Sequence, residues 1–314
     1  MKAMQFKAYG DPSNVVSVDL SLPIPKGREV RVNVRATAIN PIDWKLFSGA
    51  LRWVMPLKFP QIPCFDFAGT VDAIGPEASH FQVGQPVFGM LPMRRLGAAA
   101  EALLVDENLA AAIPLPCAIH PMAALPLAGM TALQALKDHG QIKAGERVLI
   151  IGGAGGVGHF GIQIASQLGA TVTAIGSTQN LDFMRSLGAT KVLDYTQPDF
   201  ALGERSFDII LDANGQRPFK EWEIALAPEG RFISLLPSLP IFMHGLRLKI
   251  TSKRRIHMVM VKPQRSDLEW LAAGMAEGSL TVHIENEYPL EHLAQAFEQS
   301  QKGHTRGKIL INVS

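Results

Sequence analysis

The stretch from Arg147 to Ala170 constrains this chain more than any other. Val148 to Ile151 is an unbroken apolar run, as a strand covered on both faces should be. Glycines follow at once, at 152, 153, 155, 156 and 158. Val157, Ile162, Ile164, Ala165 and Leu168 then give a largely apolar helix, which Gly169 stops. Read from Gly153, Gly155 and Gly158, the turn fits G-x-G-x-x-G. Glycine is needed there for physical reasons. One allows the tight turn, the next lets the backbone approach a pyrophosphate, and the third lets helix and strand pack closely. The helix start adds free N–H groups and the positive end of its dipole. The residues expected against the diphosphate are Ala154, Gly155, Gly156 and Val157. A glycine-rich turn also occurs in other α/β proteins. The flanks, and a second strand at Thr171–Ile175, point to a dinucleotide.

The first hundred residues read as β-rich. Short strands are expected at 4–9, 15–20, 67–74, 86–90 and 98–105, separated by Gly/Pro turns. Glu29–Ile39 alternates cleanly and slips only near its end. Such a pattern predicts a barrel-like domain. From about Pro121 strands alternate with helices, at 147–151, 171–175, 191–193, 207–213, 231–235 and 256–261. The expected fold class is α/β, with a doubly wound parallel sheet. Helices are expected at 131–137, 180–187, 218–226 and 267–277. The tail returns to strand, helix and strand at 280–284, 290–299 and 308–313. The expected division is 1–122 with 263–314 as one domain and 123–262 as the nucleotide domain.

Composition excludes several classes. Hydrophobic residues make up 47% and charged residues 18%, so global disorder is excluded. A net charge of +2 implies no bulk polyanion partner. Cys64 and Cys117 make neither a disulfide framework nor a four-thiolate zinc site, and fit a reducing compartment. The uncharged run after Asn108 is interrupted by Pro114, Pro116, Pro121 and Pro126, which reads as linker and buried helix rather than a membrane span. A cytoplasmic location is expected.

Several motifs in order carry a resemblance that runs almost end to end. They are Ile39-Asn-Pro-Ile-Asp-Trp-Lys45, Phe65-Asp-Phe-Ala-Gly-Thr-Val71, Leu125-Pro-Leu-Ala-Gly-Met-Thr-Ala-Leu133, Ala154-Gly-Gly-Val-Gly158 and Gly307-Lys-Ile-Leu310. The chain resembles the zinc-free quinone oxidoreductase branch, zeta-crystallin-like, of the medium-chain dehydrogenase/reductase superfamily. The resemblance implies a GroES-like β-barrel-type domain beside the Rossmann domain. It also implies that Tyr195 lines the adenosine side, that Thr131 lines the phosphate or nicotinamide side, and that Lys308 closes the site from the tail. Three positions depart from the pattern: the family usually has glycine at Cys64, serine at Ala154, and often a basic residue around Gln179.

Cofactor choice turns on the end of the second strand. An NAD-binding unit places Asp or Glu about 20 residues beyond the glycines. Here Gly176-Ser-Thr-Gln-Asn180 stands there, and the next acid is Asp182. Hydroxyls and amides at Ser177, Thr178 and Asn180 are compatible with a 2′-phosphate, so NADPH is expected. The alternative is that Ser177 and Thr178 merely cap the helix. Asn214 and Leu235 lie just past strand ends, where ligands sit in such sheets.

Zinc chemistry needs about four N or S donors, three of them from protein at a catalytic site. Ile-Asp-Trp and Phe65-Asp66 stand where the zinc branch has its early cysteine and its His-Glu pair, and the nine histidines are scattered. No metal is expected. Without a Lewis acid the acceptor must already be activated, as a quinone or α,β-unsaturated carbonyl is. Asn40 is the candidate for orienting nicotinamide or substrate oxygen, with Asp43 and Lys45 as candidate donors. The alternative for Asp43 and Lys45 is a structural turn with an ion pair. Trp44, Phe47, Trp53 and Phe59 are candidates for an apolar wall or for core.

Arg247, Lys249, Lys253, Arg254, Arg255 and Lys262 form a basic run that reads as a solvated face. The strand at 256–261 is a candidate for pairing across a homodimer. The function expected is NADPH-dependent reduction of a quinone or enone. The rivals are an NADPH-binding sensor or structural protein with little turnover, and a protein that binds RNA or a membrane surface through the basic run.

Overall fold

Apolar side chains at every second position of Glu29–Ile39 give a strand with one buried face, and much of the first unit is paired to it. The computed structural model describes every residue except Asp199, Pro237 and Ser314. The chain opens with β1 (Lys2–Phe6) and β2 (Val15–Asp19), which pair antiparallel. Next come β3 (Glu29–Ile39), α1 (Pro41–Phe47), β4 (Asp66–Ile74), β5 (Pro86–Met90), β6 (Ala102–Asp106) and β7 (Ala110–Ala112). Two helices follow, α2 (Ile119–Met122) and α3 (Pro126–Gln134). The central run is β8 (Arg147–Ile151), α4 (Gly156–Gln167), β9 (Thr171–Gly176), α5 (Leu181–Ser186), β10 (Lys191–Asp194), β11 (Phe207–Asp212), α6 (Phe219–Glu223), β12 (Leu226–Ser234), α7 (Leu239–Thr251) and β13 (Arg255–Met258). The tail adds α8 (Arg265–Ala276), β14 (Ile284–Pro289), α9 (Leu293–Gln301) and β15 (Lys308–Asn312).

These elements form two compact units, Met1–Met130 with Lys262–Ser314, and Thr131–Val261. The first holds a seven-stranded sheet ordered β14-β15-β3-β4-β5-β7, with β6 also paired to β3. Val30, Val32, Val34 and Ala36 are buried while Arg31, Asn33 and Arg35 are half-buried. Beyond Ala36 the alternation stops because Thr37, Ala38 and Ile39 are all buried. Helices α2 and α9 pack on this strand, and β15 lies antiparallel to its last residues. The loss of alternation therefore marks the stretch that leads into Asn40.

The second unit is a six-stranded parallel sheet ordered β10-β9-β8-β11-β12-β13. Strand order reverses beside β8, so the loops after β8 and β11 open at the switch point where ligands bind in such sheets. Ile151, Ile175, Ile210, Trp222 and Phe232 belong to one buried cluster of this unit.

Several elements differ from expectation. Leu280 was expected to open a strand. Instead its N–H donates to Gly274 O at 2.9 Å and its side chain packs on the end of α8, so its apolarity closes a helix. The strand starts at Ile284, and its polar residues reflect its place at the sheet edge. Residues 239–251, with Arg247 and Lys249 of the basic run, form a helix that was not expected, α7, while Arg255 belongs to β13. Pro240 sits in its first turn, where proline is compatible with helix. β12 begins at Leu226, ahead of the expected Arg231, with an irregularity in its pairing to β11. α1 was not expected as a helix; Pro41 starts it.

Candidate functional site

In the second unit the turn after β8 is shaped by the glycines in a different division of labour from the one expected. Gly152 makes the left-handed turn, at φ +76°. Gly153 packs inward, where a Cβ would meet Met184 and Ala174 at 2.8 and 3.0 Å. A Cβ on Gly158 would lie 2.0 Å from Gly152 O, so this glycine lets α4 sit directly on the turn. Gly155 is the open position, where a Cβ would meet only Gly152 O, at 3.5 Å. It is also the N-cap of α4, and its carbonyl accepts from His159 N at 3.0 Å. Gly155, Gly156 and Val157 are half-buried, whereas Ala154 is buried. The first-turn N–H groups of α4 have no acceptor within the helix, which leaves them for an anion.

A cleft beside this turn is lined by residues from four strand ends. Ile151, Gly152 and Ile175 form one side; Tyr195, Asn214, Gln216, Arg217 and Trp222 complete it. The structure thus brings Tyr195 and Asn214 to the glycine turn. Asn214 is fixed there because Asp212 Oδ1 accepts from its N–H at 3.1 Å and from that of Gly215 at 2.7 Å. Burial raises the Asp212 carboxyl above its ordinary value, and the two N–H groups oppose the shift. Leu235, half-buried after β12, and Thr131, buried in α3, do not line the cleft. Gln216 and Arg217 went unnoticed in the sequence because nothing local marks them.

The end of β9 holds an acid that sequence distance concealed. Thr178 Oγ1 donates to Asp194 Oδ2 at 2.5 Å, and Thr196 Oγ1 donates to Oδ1 at 2.7 Å. These hydroxyls, Thr178 first, hold the Asp194 carboxyl well below the usual carboxylate range. β10 pairs parallel with β9, with Asp194 opposite Gly176, and this brings the carboxylate to Thr178. Ser177 is the N-cap of the following turn but makes no side-chain cap; its hydroxyl accepts from Asn180 Nδ2 at 3.1 Å.

In the first unit Asn40, Asp43, Asp66 and Lys308 converge, each no more than 3% exposed. Asn40 Nδ2 donates to Asp66 Oδ2 at 2.8 Å, and Asn40 N donates to Asp43 Oδ2 at 2.7 Å. Lys308 Nζ donates to Asn40 Oδ1 and to Ile39 O, and lies 3.7 Å from Asp66 Oδ2. Asp66 Oδ1 accepts from Leu127 N at 2.9 Å. Among the described residues Asp43 Oδ1 has no partner. Burial raises the Asp43 carboxyl well above its ordinary value, and Asp66 adds to that shift. Burial also raises Asp66, which Lys308 opposes, and lowers Lys308 itself. Cys64 is fully buried at φ +70°, where glycine is at ease, and burial pushes its thiol up.

Lys45 does not join this cluster; its ammonium lies 5.5 Å from the Trp44 ring centroid. The aromatic candidates are divided. Phe47 stacks on Phe6 at 4.2 Å, Phe59 meets Tyr9 edge-on at 4.8 Å, and Trp53 is 86% exposed. In the basic run Arg247 is bound by Glu223, Lys253 by Glu229, and Arg254 by the carbonyls of Leu226 and Ala227.

Residues 26–116 match the family of the alcohol dehydrogenase GroES-like domain, and residues 187–311 match a family described as zinc-binding dehydrogenase. The chain is 33% identical to the chloroplast envelope quinone oxidoreductase homolog of Arabidopsis thaliana, over 99% of this chain and 98% of that protein. It is 28% identical to the NADPH-dependent alkenal/one oxidoreductase, chloroplastic, of the same plant, over 99% of this chain and 79% of that protein. A solved quinone oxidoreductase from Coxiella burnetii superimposes with a TM-score of 0.91 at 28% identity, covering 100% of this chain and 99% of that one. The chain belongs to the quinone oxidoreductase branch of the medium-chain dehydrogenase/reductase superfamily, and its two units carry the GroES-like and Rossmann folds of that superfamily.

Proposed function

On the basis of that membership, we propose that this chain is an NADPH-dependent reductase of quinones or α,β-unsaturated carbonyls that works without zinc. The observation that carries the reading is the open Gly155 at the start of α4 beside the Tyr195–Asn214 cleft. Backbone N–H groups there hold a diphosphate, and the cleft takes the adenosine. When bound, NADPH supplies hydride from its nicotinamide. Relatives whose names specify quinones and alkenals or enones support this substrate class.

The buried cluster of the first unit supports chemistry without zinc through its donor set. It offers an ammonium, two carboxyl groups, an amide and a thiol that burial pushes up. A divalent cation would compete with Lys308 for Asp66, and soft or imidazole donors are what zinc takes. Lys308 and Asp66 together fix both ends of the Asn40 amide, so Asn40 is held in one orientation. The acceptor must then arrive activated by conjugation, with solvent or a polar side chain supplying the proton.

A specific observation favours a second reading, an NADPH-binding protein with little turnover: Asn40 and Asp43 are buried and already bonded to each other. Measuring NADPH oxidation with ortho-quinones, para-quinones and enones separates the two. Turnover with at least one class is expected; tight NADPH binding with none would select the sensor. We also propose a homodimer. β13 is a sheet edge, and Leu239, Phe242, Met243, Leu246 and Ile250 form one exposed apolar stripe on α7. No described helix is long and apolar enough to cross a membrane, and a cytoplasmic location is part of the proposal.

A further inference from the structure

Arg217, on the loop between β11 and α6, enters the cleft beside the glycine turn. Its guanidinium lies 5.4 Å from the Phe200 ring centroid and 5.9 Å from that of Trp222. Trp222 is 3% exposed and anchored in the core, so it is a fixed surface for the cation to rest on. Aromatic contact engages a guanidinium through its flat faces and leaves the edge N–H groups for an anion. Among the described residues Arg217 makes one ion pair, and it is loose. Glu221 Oε2 is 3.4 Å away, and the two side chains are 42% and 48% exposed. Pairs of that kind contribute little and yield to a better anion.

The nearby hydroxyls do not supply the positive charge that a phosphate needs. Thr178 gives its proton to Asp194, so a carboxylate stands at the end of β9. Gln179 is neutral. Tyr195, next to Asp194, lines the same cleft as Arg217. A dianionic group near these residues needs a cation, and Arg217 is the cation that the cleft provides.

We infer that Arg217 recognises the phosphate on the adenosine ribose and so sets the preference for NADPH over NADH. The inference rests on the NADPH reading above. The diphosphate goes to the backbone of α4, and both cofactors carry it; only the ribose phosphate distinguishes them. A planar guanidinium matches a phosphate edge with two parallel hydrogen bonds.

The test is calorimetric titration of the whole protein and its variants with 2′,5′-ADP and with 5′-ADP. The wild type is expected to bind 2′,5′-ADP more tightly, and added salt should shrink that margin. Arg217→Gln is expected to weaken 2′,5′-ADP by about tenfold or more, as loss of a charged hydrogen-bond partner does, and to leave 5′-ADP within about twofold. Arg217→Lys should restore part of the loss, because charge without the fork still attracts phosphate. Equal weakening of both nucleotides would mean that Arg217 stacks on the base, and would overturn the inference. An unchanged preference in Arg217→Gln would overturn it and leave the NADPH reading standing. A wild type with no preference would remove the NADPH reading itself, and this inference with it.

Discussion

The two polar centres of this molecule are built in opposite ways. The turn after β8 is a backbone site in which glycines at 152, 153, 155 and 158 set the shape and leave main-chain N–H groups exposed. The Asn40–Asp43–Asp66–Lys308 centre is a side-chain site, closed to solvent, in which the groups bind one another. A backbone site depends on what is absent at each Cα, so its variants fail by collision. A side-chain site depends on mutual neutralisation, so its variants fail by leaving a charge behind.

The strongest way to break this contrast is at Lys308. Lys308→Met leaves the Asp66 carboxylate buried without its cation. The expected loss is about 3–5 kcal/mol in urea unfolding, as for a buried pair with one partner removed. Adding Asp66→Asn should recover part of it, because the carboxylate is gone. A single variant as stable as wild type would show that the buried charges are not held as described.

Collision comes next. Gly158→Ala places a methyl 2.0 Å from Gly152 O, against backbone that has little freedom to move. A cost of about 1–3 kcal/mol is expected. Gly155→Ala meets nothing closer than 3.5 Å, so its unfolding midpoint should barely move while its nucleotide affinity falls. Equal thermal shifts in the two variants would erase the distinction between a packing glycine and a contact glycine.

The smallest effect is a pH dependence. Burial raises Asp43 in the folded protein above its ordinary value of 3.8. The folded state therefore keeps a proton that the unfolded chain releases, and the stability tied to Asp43 is lost as pH rises from that value through the raised one. Asp43→Asn cannot ionise, and its carbonyl can still accept from Asn40 N. Its stability should fall less steeply with pH across that window. Matching slopes in urea titrations of the two proteins would place the proton elsewhere.

Legibility in the sequence followed the same contrast. The backbone site was readable because glycine spacing, an apolar strand and an apolar helix are neighbours along the chain. Only the assignment of roles shifted: Gly152, outside the G-x-G-x-x-G reading, makes the turn. The side-chain site drew on positions 40, 43, 66 and 308, and no local pattern says that β15 lies against β3. Asp194 was missed for the same reason. It is distant from Thr178 in sequence and adjacent only because β10 pairs with β9. α7 was not expected as a helix, and Pro240 stands in its opening turn, where proline is compatible with helix.

The pairing of β15 with β3 has a consequence for how the protein is made. The parallel sheet is encoded without interruption between Thr131 and Val261, so it is complete in the nascent chain while the other unit still lacks two strands. Domains form as units during synthesis, earlier segments first. Until the ribosome has passed Lys308, the carboxylate of Asp66 has no ammonium to meet and must stay hydrated. The order of translation thus makes the nucleotide half ready first, and the other half closes around its charges last.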